Sequence, residues 1–566
     1  MPSDPLSTDV EPAQPGSTAS YGQRRLWFIN QFDPISPTYN MQLRLRAIGA
    51  LDPRVLADAI GALVRRHEVL RTRLVLDGDR LVQQIDDAAV AYVERVDVSD
   101  LAVPRREAAA TRIADAFASR GFDLSTDLPL RALCVRVSSS EHVVVLSIHH
   151  AAADEPSLGI VLADLAKLYG DPAALAPPTA GYRDFADWQR RMLERDGQQH
   201  LAYWLKHLRG VPDRQWLPAD RPAPERGSPA GARVDFTVPE PVVRRLAGLA
   251  EAVRATTFVP ALAGFVVLLA LAADRGDHAD EVVLGLHTTG RPLVELERVV
   301  GYFGNLLVIR TATTGDLTFR QALHRVRETV IDALDHRDLP FELLVERLGT
   351  PRSAAGTPLV NVLVNVVADA AEPPVLDGVT LRPETIATTT VRSDLALYLN
   401  LSGDRMGCSL EYRSELFDHD TVAGLAERLV QVYSAVAADP DIPLDRLRGP
   451  VAEAPRRTAA GADQADPPQP YREPATQLER AICDMWRDLL RRGRVGADDD
   501  FFDLGGHSVL AIAVKARVED EFGVTVPLRW CLDTPTPGAL AAAVDALRRG
   551  DVGDVLLAEL EWSGHA

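Results

Sequence analysis

The sequence predicts a large α/β body followed by a small helical bundle. Two observations carry this. Short β-branched runs alternate with segments of helical apolar spacing from about residue 20 to residue 449. A stretch rich in Pro, Ala and charge, 450–475, then precedes a region with helical patterns alone. At 566 residues the chain is long enough for more than one domain.

Residues 1–19 are polar and rich in Pro and Ser, without the apolar segment of a signal peptide, so a disordered tail is expected. Order should begin near Ser20, where Leu26, Trp27, Phe28, Ile29 and Phe32 cluster. The spacing of Val55, Leu56, Ala59, Ile60, Leu63 and Val64 predicts a helix over 53–66. Segments 71–76 and 81–85 form a strand pair turning at Asp77-Gly78. The run 143–148, VVVLSI, is a buried strand. Pro156 then opens a helix whose face carries Leu158, Val161, Leu162, Leu165 and Leu168. Residues 258–273 are the most apolar, but Pro260 and a length of about 16 residues suit a buried helix better than a membrane span. Strands are expected at 281–286, 306–310, 359–366 and 408–412, and a helix at 319–334. Beyond the 450–475 linker, helices at 477–490, 509–522 and 538–547 form a bundle over 476–547, with a C-terminal tail at 548–566.

Composition excludes several functions. Sixty-one Lys and Arg against 80 Asp and Glu give a net charge of −19, which disfavours nucleic acid and anionic membranes as partners. Cys134, Cys408, Cys483 and Cys531 lie far apart with no CxxC pair, so neither a disulfide scaffold nor a Cys-rich zinc site is expected. The cysteine usage fits a reducing cytoplasm.

Two constellations carry chemistry. The first is the strand end His149-His150-Ala151-Ala152-Ala153-Asp154. A neutral histidine delivered from a rigid strand into a cleft can accept a proton from an amine or hydroxyl. Neighbouring strand residues face opposite sides, so the two histidines should have different roles. By spacing alone the pair is equally a structural one beside a helix-capping Asp154, and no third ligand stands at metal-binding spacing. The second is DDDFFDLGGHSVLAI, where Gly505 and Gly506 loosen the backbone and His507-Ser508 opens a helix. A serine there is either a helix cap or the bearer of a phosphodiester-linked arm.

HHAAADE resembles the HHxxxDG motif of nonribosomal peptide synthetase condensation domains. SYGQRRLWFINQ, RHEVLRTRL, YRDFADW, VGYFGNLLVIR, HRDLPFELLVERL and PRSAAGTPLVNVLVNV resemble that family's other motifs, in family order. DDFFDLGGHSVLA resembles the core of a peptidyl carrier domain. The first resemblance implies a condensation domain over 20–449, with two chloramphenicol acetyltransferase-like lobes dividing near 180–220 and a central tunnel. It makes His150 catalytic, as base or positioning group, and His149, Asp154 and Arg291 supporting residues, with Arg291 the partner of Asp154. Glu155, where the family has Gly, and Asn305 become tunnel candidates. The second resemblance makes Ser508 the attachment point of 4′-phosphopantetheine, flanked by Asp503, Leu504, Gly505, Gly506, His507 and Val509. Together they imply amide formation between an upstream carrier-bound acyl or peptidyl thioester and an aminoacyl group on Ser508. The implied partners are an upstream donor carrier, an adenylation domain acting in trans, a phosphopantetheinyl transferase, and a downstream thioesterase or condensation domain. Two alternatives remain open: ester or amide formation with a free acceptor, and a non-catalytic platform that recruits tailoring enzymes.

Overall fold

The computed structural model describes residues 17–32, 36–78, 80–211, 215, 217–222, 230–272, 281–313, 317–348, 358–367, 376–384, 390–447, 471–490, 492–501, 504, 508–524, 526 and 536–549. The first lobe contains β1 (Ser17–Thr18), α1 (Tyr21–Phe32), β2 (Asn40–Gly49), α2 (Pro53–Arg66), β3 (Thr72–Asp77), β4 (Arg80–Ile85), β5 (Val93–Asp97), α3 (Val103–Ala118), β6 (Leu130–Ser138), β7 (Glu141–His149) and α4 (Glu155–Gly170). Helix α5 (Tyr182–His207) leads into β8 (Gly231–Val238), α6 (Glu240–Ala252), α7 (Phe258–Ala272), β9 (Glu281–Thr289), β10 (Gly304–Ala312), α8 (Phe319–Asp335), α9 (Phe341–Leu348), β11 (Val362–Val367), β12 (Val379–Pro383), β13 (Leu395–Ser402), β14 (Arg405–Arg413) and α10 (His419–Ala438). The C-terminal bundle has α11 (Gln477–Leu490), α12 (Ser508–Phe522) and α13 (Pro537–Arg549).

The first lobe is organised around a five-stranded sheet in the order β12-β2-β7-β6-β5, and the second around a six-stranded sheet, β10-β9-β11-β13-β14-β8. Strand β7 sits inside its sheet, antiparallel to both β2 and β6. Its alternate residues bury in two directions. Val144, Leu146 and Ile148 join the main core, while Val143 and Val145 pack with Ala110, Ala114 and Phe117 of α3. This double burial explains the unbroken apolar run and fixes the register, since a one-residue slip would exchange the two faces. Helix α2 follows its sequence signals closely: Asp52 caps the N-terminus by accepting from Arg54 N, Pro53 takes the first turn, and Arg65 and Arg66 end the last. Helix α7 is buried on every face from Val259 to Leu269, as a core helix without a polar stripe must be.

Three features join the lobes. β12, from the second half of the chain, pairs with β2 of the first lobe, and Glu384 just beyond it accepts from Nε of Arg44 and of Arg46. Helix α5 places Tyr182 and Phe185 in the first core and Trp204 in the second. Leu296, Val299, Val300, Tyr302 and Phe303, between β9 and β10, pack into the first core.

The chain is ordered three residues before the expected start at Ser20. Ser17 and Thr18 pair with Gln83 and Val82, and Ala19 N donates to Leu81 O. Residues 1–16 and 550–566 of the expected tails lie outside the described residues, as do 450–470 of the expected linker. Residues 471–475 engage the bundle: Arg472 pairs with Glu479 at 2.9 Å and Asp498 at 2.7 Å. Helix α12 adjoins α1 of the first lobe. No described helix is long and apolar enough to cross a membrane.

Candidate functional site

The chemistry centres on the end of β7. His150 N donates to Tyr39 O, which extends the pairing with β2 by one residue and fixes where the side chain leaves the strand. The His150 Nδ1 lies 2.6 Å from Ala153 O. A carbonyl oxygen only accepts, so Nδ1 must carry the proton. Burial, and next the charge of Arg392, hold the imidazole pKa well below its ordinary value. At neutral pH His150 is therefore uncharged, with Nε2 carrying the free lone pair. The Tyr302 ring meets the imidazole edge-on, with centroids 4.9 Å apart.

His149 behaves differently. It is 2 % exposed, and its Nδ1 accepts from Ala151 N, so its proton sits on Nε2. Its ring meets Phe122 edge-on. Burial and Arg392 lower its pKa to about 3. It holds the loop rather than facing a reacting group.

Asp154 caps α4 by accepting from Ser157 N, and Arg291 binds it bidentately, Nη1 at 3.1 Å and Nη2 at 2.9 Å. The pairing implied by the resemblance is thus present. Phe303 N also donates to Asp154, while Arg291 lies over the Phe303 ring and donates to Val299 O. Arg291 and Phe303 flank the segment between β9 and β10, so Asp154 ties the His150 loop to the second half of the chain.

Glu155 opens α4 and is exposed, yet burial and the neighbouring Asp154 raise its carboxyl pKa. Asn305 is fully engaged. Its Nδ2 donates to Arg337 O and Leu339 O, and its Oδ1 accepts from Phe341 N. It ties β10 to the start of α9, and its hydrogen bonds are structural. It also lines a small cavity with Ser20, Gly22, Trp188, Thr288 and Tyr302.

Sequence reasoning passed over Tyr302, His287 and Arg392. Tyr302 stood inside a motif already singled out, three residues before Asn305, and a large ring between Gly301 and Gly304 was the available signal. His287 lies on β9, its pKa lowered to about 3 by burial, Arg25 and Arg392. Arg392 donates to Thr38 O and lies over the Tyr39 ring. No local pattern announces a contact across 354 positions.

In the bundle, Ser508 is the first residue of α12, where the helix N-terminus favours an anion such as a phosphodiester. Leu504 forms a turn just before it and packs partly into the core. Asp503, Gly505, Gly506 and His507 lie outside the described residues, and of Ser508 and Val509 only the helical backbone is described.

Comparison with known proteins matches the family model "Condensation domain" over residues 16–452 and "Phosphopantetheine attachment site" over 480–544. The chain is 36% identical over 431 residues to phosphinothricin tripeptide synthetase PhsC of Streptomyces viridochromogenes, covering 74% of this chain and 39% of that protein. It is 34% identical over 445 residues to tyrocidine synthase 2 of Brevibacillus parabrevis, covering 77% and 12%. The chain thus spans well under half the length of these relatives. Among solved structures it superposes on the X-domain in complex with OxyB from teicoplanin biosynthesis, with TM-score 0.70, 29% identity, and 78% and 97% coverage. It shares the fold of holo-AB3403, a four-domain nonribosomal peptide synthetase, with TM-score 0.70, 22% identity, and 88% and 38% coverage.

Proposed function

The chain belongs to the condensation-domain family, with a phosphopantetheine attachment domain behind it, and from that premise we propose that it joins a carrier-bound acyl or peptidyl donor to an aminoacyl group held on Ser508. The observation that carries the reading is the protonation geometry of His150: Nδ1–H is committed to Ala153 O, leaving Nε2 as a lone-pair acceptor on an uncharged ring. An amine attacking a thioester must lose a proton as its C–N bond forms, and a neutral imidazole near it can take that proton or orient the N–H.

Each neighbouring residue serves that geometry. Ala153 O fixes the tautomer, Tyr302 fixes the ring's tilt, and the Arg291–Asp154 pair fixes the loop that presents Ala153. The amine nitrogen attacks the thioester carbonyl, the C–S bond breaks, and the amine proton leaves through His150 to the departing thiolate. Holding both reactants in the tunnel converts a bimolecular step into a local one, worth on the order of 7–11 kcal/mol at best. Phosphopantetheine on Ser508 supplies the thiol that carries the aminoacyl group. Ser508 and the N-terminus of α12 are the parts of this chain that would hold it. The partners under this reading are an upstream donor carrier, an adenylation domain acting in trans, a phosphopantetheinyl transferase, and a downstream thioesterase or condensation domain, all in the cytoplasm.

The test is intact-protein mass spectrometry. Ser508 is charged with aminoacyl-pantetheine, an acylated donor carrier is added, and the condensed mass is sought with wild type and with His150→Ala. Product from the wild type and its loss in the variant support the reading. Full product from the variant removes His150 from the chemistry. A second reading has one observation behind it, the likeness to an X-domain that forms a complex with OxyB. On that reading the condensation fold recruits a tailoring enzyme, and no donor would yield product.

A further inference from the structure

The second-lobe sheet is split where it reaches the site. β9 runs on to Thr289 and β11 to Val367, but their parallel ladder consists only of Leu363↔Gly285 and Val364↔Leu286. Beyond that point a cavity of about 340 Å³ opens between β9, β11 and the helices behind them. That volume falls in the range of small-molecule sites. Its wall is mainly apolar, with Phe258, Leu286, Val330 and Leu334, and also carries Thr256 and Thr288. Val366, at the free end of β11, is 48% exposed on it.

The lining is chemically mixed. His287, the β9 residue after Leu286, is part of it. Thr288, the next residue, lines both this cavity and the smaller one beside Tyr302. Two arginines, Arg254 and Arg327, also line it. Among the described residues neither has a carboxylate partner, and the Arg327 Nε is sealed from solvent without a hydrogen bond. Arg254 occupies the left-handed position that ends α6, at φ +53°, with Ala255 N closing back to Ala250 O. Glycine is the usual residue at such a position, so the arginine there carries some backbone strain.

We propose that this cleft holds the acyl chain of the donor, and that the chain it fits is apolar along its length with a carboxylate at its far end. The proposal rests on the condensation reading above. The donor is assigned because the carrier bundle adjoins α1, on the side of the smaller cavity that Gly22 lines, whereas the cleft is built by second-lobe residues alone. An acyl chain is assigned over a pantetheine arm because Phe258, Val259, Leu286, Val330, Ile331, Leu334 and Val366 outnumber the polar lining residues Thr256, Thr288, His287, Arg254 and Arg327, and an apolar chain covers that wall without stranding amides on it.

Two measurements on the full chain test it. Condensation onto loaded Ser508 is compared for a decanoyl donor and a 9-carboxynonanoyl donor on the same carrier, with wild type and with Arg327→Gln. The carboxylated donor should win by about tenfold in kcat/KM, the scale of one charge-assisted hydrogen bond. Arg327→Gln should remove that preference, lowering the rate with the carboxylated donor about tenfold relative to the rate with the decanoyl donor. Equal rates for the two donors overturn the proposal. So does an equal fall for both in the variant, which would place the arginine on a phosphate or in the scaffold. Separately, binding of the mono-amide of decanedioic acid with cysteamine is read by calorimetry, with Ile331→Trp and Arg327→Gln as controls. Binding lost in both variants without any condensation would leave the cleft standing and sink the condensation reading. No binding alongside active condensation would do the reverse.

Discussion

Replacing Arg291 by alanine removes the positive half of a pair that is almost fully withdrawn from water. The side chains of Arg291 and Asp154 are 9% and 3% exposed. Breaking a buried pair by deleting one partner typically costs about 3–5 kcal/mol, because the remaining charge stays buried. Asp154 keeps donors from Ser157 N at 3.0 Å and Phe303 N at 3.3 Å, which places the loss near the lower end. The cation–π contact of Arg291 with Phe303, at 4.4 Å, adds about 1 kcal/mol. Arg291→Ala should therefore lower stability by about 3–4 kcal/mol, read as a shift in denaturant midpoint at constant slope. Arg291→Ala, Asp154→Asn and the double variant form a cycle whose coupling should reach about 2 kcal/mol. The same loop presents Ala153 to His150, so kcat of condensation should fall more than KM rises. A loss under about 1 kcal/mol, additive with Asp154→Asn, would refute the argument that this pair holds the site together.

Three further outcomes follow from the geometry. His149 and His287, with pKa values near 3, and His150, well below its ordinary value, stay neutral when folded but bind protons below about pH 6.5 when unfolded. Stability is therefore full above pH 6.5 and falls as pH drops below it, by up to about 1.4 kcal/mol per unit for each histidine. A denaturation midpoint unchanged between pH 7 and 5.5 would contradict this, as would an inflection near 6.5 in the pH profile of condensation. A Cβ added at Gly22 would lie 2.5 Å from the Tyr302 ring, so Gly22→Ala should displace the ring that tilts His150 and cut kcat while the fold persists by circular dichroism. At Gly301 the Cβ would overlap the buried Tyr182 ring, and Gly301→Ala should cost about 1–3 kcal/mol by thermal melting. Ser508→Ala should abolish the mass added by a phosphopantetheinyl transferase, whereas modification of the variant would place the arm elsewhere.

Legibility tracked sequence distance. Helix α2 was readable because its cap, its Pro and its apolar stripe all lie within 15 residues. The turn at Gly78 was readable because φ of +62° calls for glycine between two alternating runs. β1 was missed because two polar residues carry no strand pattern, and their order comes from pairing with β4, over 60 positions away. β12 has the same character, since its place in the first-lobe sheet is set by β2. In the site, His150 and Asp154 were legible as a compact motif at a strand end. Tyr302, His287 and Arg392 were not, because each comes to His150 from the far half of the chain.

That division has a functional consequence. The proton acceptor belongs to the first lobe, while the groups that set its electrostatics and hold its loop, Arg291, Tyr302, His287 and Arg392, come from beyond α5. The Nδ1 bond to Ala153 O is local to the first lobe, whereas burial is reinforced by the charge of Arg392 from the second half in keeping the imidazole neutral. The second half must bring Arg291 to Asp154 and Tyr302 to the ring before Nε2 is correctly aimed. Under the proposed reaction, the three ties between the lobes, β12 on β2, α5 across both cores and the 296–303 segment in the first core, help to position His150. A small change in how the lobes meet alters His150 through the Asp154 loop and the Tyr302 ring together. Thr288 of β9 lines both the split beside β11 and the small cavity at Tyr302, so under the donor proposal the fit of an acyl chain bears on the strand that reaches the Tyr302 ring.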